Sequence, residues 1–289
     1  MEMNKTEAAF GRLYEIIARL RAPDGCPWDR AQTPDTMRTD LVEEAFEAVD
    51  AITQHDAPHV CEELGDVMLN AAMIAYMYEQ AGDFTLAGVL NLVSDKIVRR
   101  HPHVFKESEG ASEALEGGAK TAEQVLTQWD AIKRTVEGRG DVESVLDEVA
   151  EGLPPLMRAY KMQKKASKKG FDWDEASPAA AKVREELAEL EEAAAATGAK
   201  DKAAKIEGIS DEVRDHIEDE AGDLLFAAVN YIRHLGIDPS IAMARANAKF
   251  RRRFGFVEKE MSLAGLPMDD EHLSEMDSFW NKAKENEKK

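Results

Sequence analysis

The segments KVREELAEL (182–190) and EDEAGDLLF (218–226) each place two carboxylates three positions apart: Glu186 with Glu189, and Glu220 with Asp223. On a helix an i, i+3 spacing sets both members of a pair on one face. Two such helices packed antiparallel would gather four carboxylates at the edge of a core. Anions gathered in this way repel, so each must take up a proton or find a cation. Divalent metal satisfies all four at once. An all-oxygen donor set favours Mg2+, with Mn2+ as the alternative, over zinc, which prefers His and Cys. A di-iron centre also uses paired helices, but it normally needs Glu-x-x-His on two of them, and here Glu or Asp stands where that His would.

A lone Glu-x-x-Glu in a chain this acidic is most often a solvated helix face, and Glu43, Glu185, Glu191 and Glu192 read that way. Two features set the other pairs apart. The second pair heads GDLLFAAVNYIRHLG (222–236), which is apolar nearly all round and predicts a central helix. Its partner carries Val183, Leu187 and Leu190 as an apolar stripe to pack against it. Gly222, like Gly65, is expected to leave space for close approach beside the acidic residues.

The second feature is recurrence. DGCPWDR (24–30) is echoed by KGFDWDE (169–175), and LVEEAFEAV (41–49) by KVREELAEL, which pairs Glu44 with Glu186 and Glu47 with Glu189. EELGDVML (62–69) matches 218–226, pairing Glu63 with Glu220 and Asp66 with Asp223. SDKIVRRHPHVF (94–105) matches NAKFRRRFGF (247–256), and QWDAIK (128–133) matches FWNKAK (279–284). The order never changes. Such a series is a tandem duplication of a unit of about 140 residues, an ordinary domain size.

Cationic residues repeat with the acidic ones. Lys249, Arg252 and Arg253 share one helix face, as do Lys96, Arg99 and Arg100. Metal together with a Lys/Arg fork is how proteins grip a polyphosphate. Lys182, one turn before Glu186, adds a further cation, whereas its counterpart in the first unit is Asp40. Trp173 and Trp280 are packing residues by default. Trp173 either packs or stacks on a base, and the polar surroundings of Trp280 favour a ligand-facing role.

The elements that must hold these groups are helices. Apolar residues make up 44% of the 289-residue chain and charged ones 33%, while alternating Val/Ile/Thr runs are missing. We expect an all-α fold of two tandem helical bundle units, with four or five helices in each. The expected divisions are an N-terminal unit over 1–136, a linker over 137–149 and a C-terminal unit over 150–289. Pro178 after Ser177 and Pro239 after Asp238 mark helix starts. Residues 193–213, without counterpart in the first unit, read as a partly helical, mobile insertion. The net charge of −20 argues against nucleic acid and anionic membrane as partners. No apolar run is long enough to span a bilayer. Cys26 and Cys61 make no disulfide framework, and with an N-terminus lacking a signal core they predict a cytoplasmic protein. No P-loop or dinucleotide fingerprint is present.

Taken together, LRAPDGCPWDRAQTPDTMRTDLVEEAFEAVDAI, EELGDVML, DKIVRRHPHVF and the second-unit blocks resemble the MazG family of nucleoside triphosphate pyrophosphohydrolases over almost the whole chain. The family's metal signature, Glu-x-x-Glu followed by Glu-x-x-Asp, falls on Glu186, Glu189, Glu220 and Asp223, and in the first unit on Glu44, Glu47, Glu63 and Asp66. The resemblance implies a homodimer whose bundles use both subunits, and Mg2+-dependent hydrolysis of nucleoside triphosphates to monophosphate and pyrophosphate. It also implies an active C-terminal unit, with Lys182, Asp219, Asp223, Lys249, Arg252, Arg253 and Trp280 as nucleotide contacts. Two departures stand out: the insertion at 193–213, and Asp219 where a Glu is usual. Asp40 in place of lysine predicts a weak or inactive first unit. The competing readings are a non-enzymatic helical scaffold and a base-specific, dUTPase-like pyrophosphatase.

Overall fold

The computed structural model describes residues 4–105, 121, 124–125, 128–129, 132, 144–195 and 210–287. Every regular element among them is helical. The chain divides into two compact units, Met1–Asp141 and Val142–Lys289. The insertion expected at 193–213 lies for the most part outside the described residues, as does most of the expected linker. Residues 145–148 of that linker form a 3-10 turn that packs in the second unit.

The first unit contains α1 (Lys5–Leu20), α2 (Pro27–Ala31), α3 (Pro34–Gln54), α4 (Ala57–Ala81) and α5 (Leu86–Arg100). Local chemistry sets the boundaries. Asn4 accepts from the Thr6 amide while Glu7 reaches back to Asn4, a reciprocal cap that starts α1. Thr33 caps α3 with Pro34 at its first position. His55 takes the left-handed conformation, φ 59°, and Asp56 at once caps α4. That tight turn folds α3 back along α4. Gly25 is required where it stands, because a Cβ there would run into the Leu20 carbonyl.

The core of this unit gathers Ile17, Met37, Ala72, Met73, Ala75, Met77 and Leu86. Here α4 is central, supplying Ala72, Met73, Ala75 and Met77. Glu79 ties three helices together at its edge. It accepts from the Tyr14 hydroxyl at 2.6 Å and from the Leu86 amide at 3.0 Å. The carboxylate and burial together push the Tyr14 phenol up to about 12.

The second unit contains α6 (Pro155–Ser167), α7 (Ala176–Ala195), α8 (Asp211–His234), α9 (Pro239–Ala264) and α10 (Leu273–Asn286). α7 begins before Ser177, which places Pro178 within the first turn, where its missing N–H has no intrahelical acceptor to lose. Pro239 opens α9 as expected, with the Asp238 carboxylate accepting from the Ser240 and Ile241 amides at 2.9 and 3.2 Å. α7 and α8 pack antiparallel. Asp172, just ahead of α7, meets Arg233 in the last turn of α8, while the acidic residues face each other farther along.

Two expectations about this hairpin need correction. Segment 222–236 is not covered on all sides: it buries Ala227 and Val229, yet Leu225 remains 58% exposed and Phe226 44%. A helix apolar all round needs cover all round, and its neighbours within one chain supply only part of it. Nor do Gly65 and Gly222 mediate close packing, since a Cβ at either position would meet nothing within 4 Å.

Ile17 has no exposed surface, so Ile17→Ala should destabilise the first unit by about 2–4 kcal/mol. Urea melts of the full chain check this; an unchanged first-unit transition would contradict the packing described.

Candidate metal and phosphate site

In the second unit, α7 contributes Glu186 and Glu189 one turn apart, and α8 contributes Glu220. One carboxylate oxygen from each lies within 4.8 Å of the other two. Glu186 is buried, Glu220 half-buried and Glu189 exposed. The structure thus brings together three of the four residues expected. Asp223, exposed one turn beyond Glu220, is not among the three, and Asp219 is exposed beside them in sequence. In the first unit Glu44, Glu63 and Asp66 form the corresponding group, and Glu47 stands outside it.

The two groups differ in what relieves their repulsion. Lys182 reaches across one turn to Glu186, Nζ to Oε1 at 2.5 Å, and also bonds Glu185 at 2.9 Å. The ammonium holds Glu186 below the usual carboxylate range and is itself held above the usual lysine value. The cost passes to Glu189. Its hydrogen bond to Glu186, some burial and the nearby charges of Glu186 and Glu220 raise it above the ordinary glutamate value. In the first unit Asp40 occupies the position of Lys182, and Glu44 is raised instead, by burial first and then by the hydrogen bond to Glu63 and the charges of Asp66, Glu47 and Glu63. At the two equivalent glutamates the shifts therefore run in opposite directions, with Lys182 the largest cause in the second unit and burial the largest in the first.

These oxygens fit a hard divalent ion. Three carboxylates from two rigid helices, too close to remain charged together without a cation, are the donors such ions select. No His or Cys belongs to either group among the described residues. Two histidines do stand behind them. His59 Nε2 lies 2.7 Å from Glu63 Oε1, and His216 Nδ1 lies 3.6 Å from Glu220 Oε1. Inspection of carboxylates alone misses both, although a His four residues before the first acid of the second pair occurs in each unit.

The cationic residues assemble elsewhere on the second unit, where α9 meets α10. Glu287, unforeseen from the sequence, lies between two of them. Its Oε1 accepts from Arg252 Nε at 2.8 Å and its Oε2 from Arg253 at 2.6 and 2.9 Å. Arg253 also lies over the Trp280 ring, 5.8 Å from its centre, and Phe250 packs against that ring at 5.3 Å. Trp280 is therefore half-buried between a cation and an aromatic ring. Lys249 is exposed one turn before Arg253.

A family model described as MazG nucleotide pyrophosphohydrolase domain matches residues 32–105, which span Glu44, Glu47, Glu63 and Asp66. Over nearly its whole length the chain is similar to curated proteins. It is 38% identical over 277 residues to the nucleoside triphosphate pyrophosphohydrolase of Escherichia coli strain K12, covering 96% of this chain and 97% of that one. It is 34% identical over 282 residues to the nucleoside triphosphate pyrophosphohydrolase/pyrophosphatase MazG of Thermotoga maritima, covering 98% of each. It is also 38% identical over 281 residues to the uncharacterized protein YabN of Bacillus subtilis, covering 97% of this chain and 52% of YabN. With this identity sustained across both units, and with carboxylate groups of the same composition class in each, the chain belongs to the MazG nucleotide pyrophosphohydrolase family.

Proposed function

We propose that this protein is a Mg2+-dependent nucleoside triphosphate pyrophosphohydrolase, with Mn2+ as a substitute ion and the second unit as its catalytic part. The observation that carries the proposal is the group Glu186, Glu189 and Glu220, with Lys182 keeping Glu186 ionised. Asp223 completes the set by a side-chain rotation one turn along α8. A divalent ion bound there supplies charge neutralisation and Lewis acidity toward phosphate oxygens. The chain's own residues do the rest. Glu186 and Glu220, fixed on packed helices, set the position of the phosphates. Lys249, Arg252 and Arg253 take up the charge of the β- and γ-phosphates, their guanidinium groups matching paired oxygens. Water attacks the α-phosphorus, the α–β anhydride bond breaks, and one of the carboxylates accepts the water's proton. Nucleoside monophosphate and pyrophosphate leave, which serves house-cleaning or regulation of nucleotide pools.

The first unit lacks a cation corresponding to Lys182, and we assign it a structural or regulatory role. Exposed Leu187, Leu225 and Phe250 in the second unit support a homodimer in which a second copy completes the bundle. The free thiols of Cys26 and Cys61 and the acidic surface support a cytoplasmic enzyme that binds neither nucleic acid nor membrane. No helix among the described residues is long and apolar enough to cross a membrane.

Three outcomes are expected. In the full chain, Glu186→Ala lowers kcat/KM for pyrophosphate release by about 100-fold or more, whereas Glu44→Ala retains most of it. Equal losses would overturn the division of labour.

The raised Glu189 binds its proton more tightly when folded. Its contribution to metal-free stability is therefore fully present below the ordinary glutamate pKa and is lost as pH rises through the raised value. Glu189→Gln should accordingly melt higher than wild type at pH 7.5 without metal, converge with it near pH 4, and gain less from added MgCl2. Melting curves at the two pH values decide the point.

Glu287 competes with phosphate for Arg252 and Arg253. Glu287→Gln should lower KM about 2- to 5-fold, the scale of an exposed ion pair. A raised KM would mean that Glu287 instead orders the fork for substrate.

A further inference from the structure

Each carboxylate group contains one acid more deeply buried than the others, and the two units take it from opposite helices of the hairpin. In the second unit it is Glu186 of α7, and in the first it is Glu63 of α4. Their side chains are 7% and 8% exposed. A buried carboxylate needs a donor, and on a helix the nearest source is a side chain four residues away. Lys182 fills that role for Glu186 at 2.5 Å. In the first unit Asp40 stands at the lysine's position, and among the described residues no lysine or arginine pairs with Glu44, Glu63 or Asp66.

His59 supplies the donor there, from the facing helix. It precedes Glu63 by four residues, and its Nε2 lies 2.7 Å from Oε1, the separation of a charge-assisted N–H···O contact. The cap of α4 places the ring. Asp56 accepts from the His59 amide at 3.3 Å, which sets His59 in the first turn with Glu63 one turn farther along the same face. Glu44 hydrogen-bonds to Glu63 as well. The carboxylate is thus held from α3 and from α4 at once, and it cannot turn away from its group. An ordinary solvated pair on a helix surface would leave the acid free to do so. His216, the equivalent residue of the second unit, shows the contrast: its Nδ1 is 3.6 Å from Glu220 Oε1, beyond hydrogen-bond reach, and its side chain is 61% exposed.

We infer that His59 is a positioning residue for a divalent ion in the first unit, acting through Glu63 as Lys182 acts through Glu186. The inference rests on the metal reading proposed above and extends it to the unit without a catalytic role. Asp40 removes the lysine without removing the capacity to hold an ion, because the donor has moved across the hairpin. An imidazole N–H orients a carboxylate whichever charge the ring carries. An ion bound by Glu44, Glu63 and Asp66 ties α3 to α4 and makes the first unit a metal-stabilised support.

The test uses the full chain with Mn2+ as the probe, free Mn2+ being measured by its solution EPR signal. Glu220→Gln disables the second unit's group, and the Mn2+ binding that Glu44→Ala then removes belongs to the first. On the Glu220→Gln chain, His59→Ala should weaken that binding by about tenfold or more, the scale of losing the partner of a ligating carboxylate. His59→Gln keeps an N–H donor within reach of Glu63 and should restore most of it, and His216→Ala should leave it unchanged. If wild type binds Mn2+ but Glu44→Ala removes none of it from the Glu220→Gln chain, the inference is wrong while the functional proposal stands, a result that needs no His59 variant to fold. If wild type binds no Mn2+, both fall together. If His59→Ala and His59→Gln weaken binding equally, or neither does, His59 does not position Glu63 and the inference is overturned.

Discussion

Like charges held within 4.8 Å of one another on stiff helices are the constraint around which each unit is arranged. At such distances the repulsion grows as the site dries, and in a partly buried pocket it is screened far less than on an open surface. A helical hairpin cannot relax it by sliding, because the apolar residues on the inner faces fix the register of the two helices. The folded chain must therefore import positive charge or retain a proton. Lys182 does the first for Glu186, and the hydrogen bond from Glu189 to Glu186 moves Glu189 in the second direction, above the ordinary glutamate value. On the proposed reading a divalent cation would relieve both expedients at once, and folding and metal binding would answer the same electrostatic problem.

The duplicated units show how sensitive that balance is. They share the hairpin, the spacing of the acids and even a histidine one turn before Glu63 and Glu220. They differ in which acids draw together, Asp66 in one and Glu189 in the other, and at a neighbouring position, aspartate in one and lysine in the other. With lysine the buried glutamate is held below the usual carboxylate range, and with aspartate the equivalent Glu44 is raised above it, by burial first. The two units thus share their helical arrangement while their electrostatics diverge.

Much of this was legible in the residues themselves. The i, i+3 spacing of Glu186 with Glu189 sets a common face by helix geometry alone. A helix start was legible at Asp238 and Pro239, whereas at Ser177 and Pro178 the same pair of signals falls inside a helix that begins at Ala176. Other features were not. Asp223 satisfies the same spacing rule as its partners yet is exposed and not among the three acids that draw together, since spacing fixes a shared face and not a distance. The exposure of Leu225 and Phe226 depends on which neighbours exist, and a sequence of apolar residues does not count neighbours. Glu287 lies far along the chain from Arg252 and becomes its partner only once α10 folds back on α9.

The α7–α8 hairpin has distinct chemistry at its two ends, and that separation follows from composition. Toward Glu186 and Glu220 the facing residues are acidic, and the partner they call for is a cation. Toward Asp172 and Arg233 the charges are paired off against one another, and what remains is an apolar hollow. The ion pair of Asp172 with Arg233 and His234 does more than fasten the end of the hairpin. By taking up the guanidinium it prevents that charge from entering the hollow, and it holds Asn230 through the same arginine. The distance between the acidic end and the paired end is set by the rise of α8, which no side-chain motion can alter.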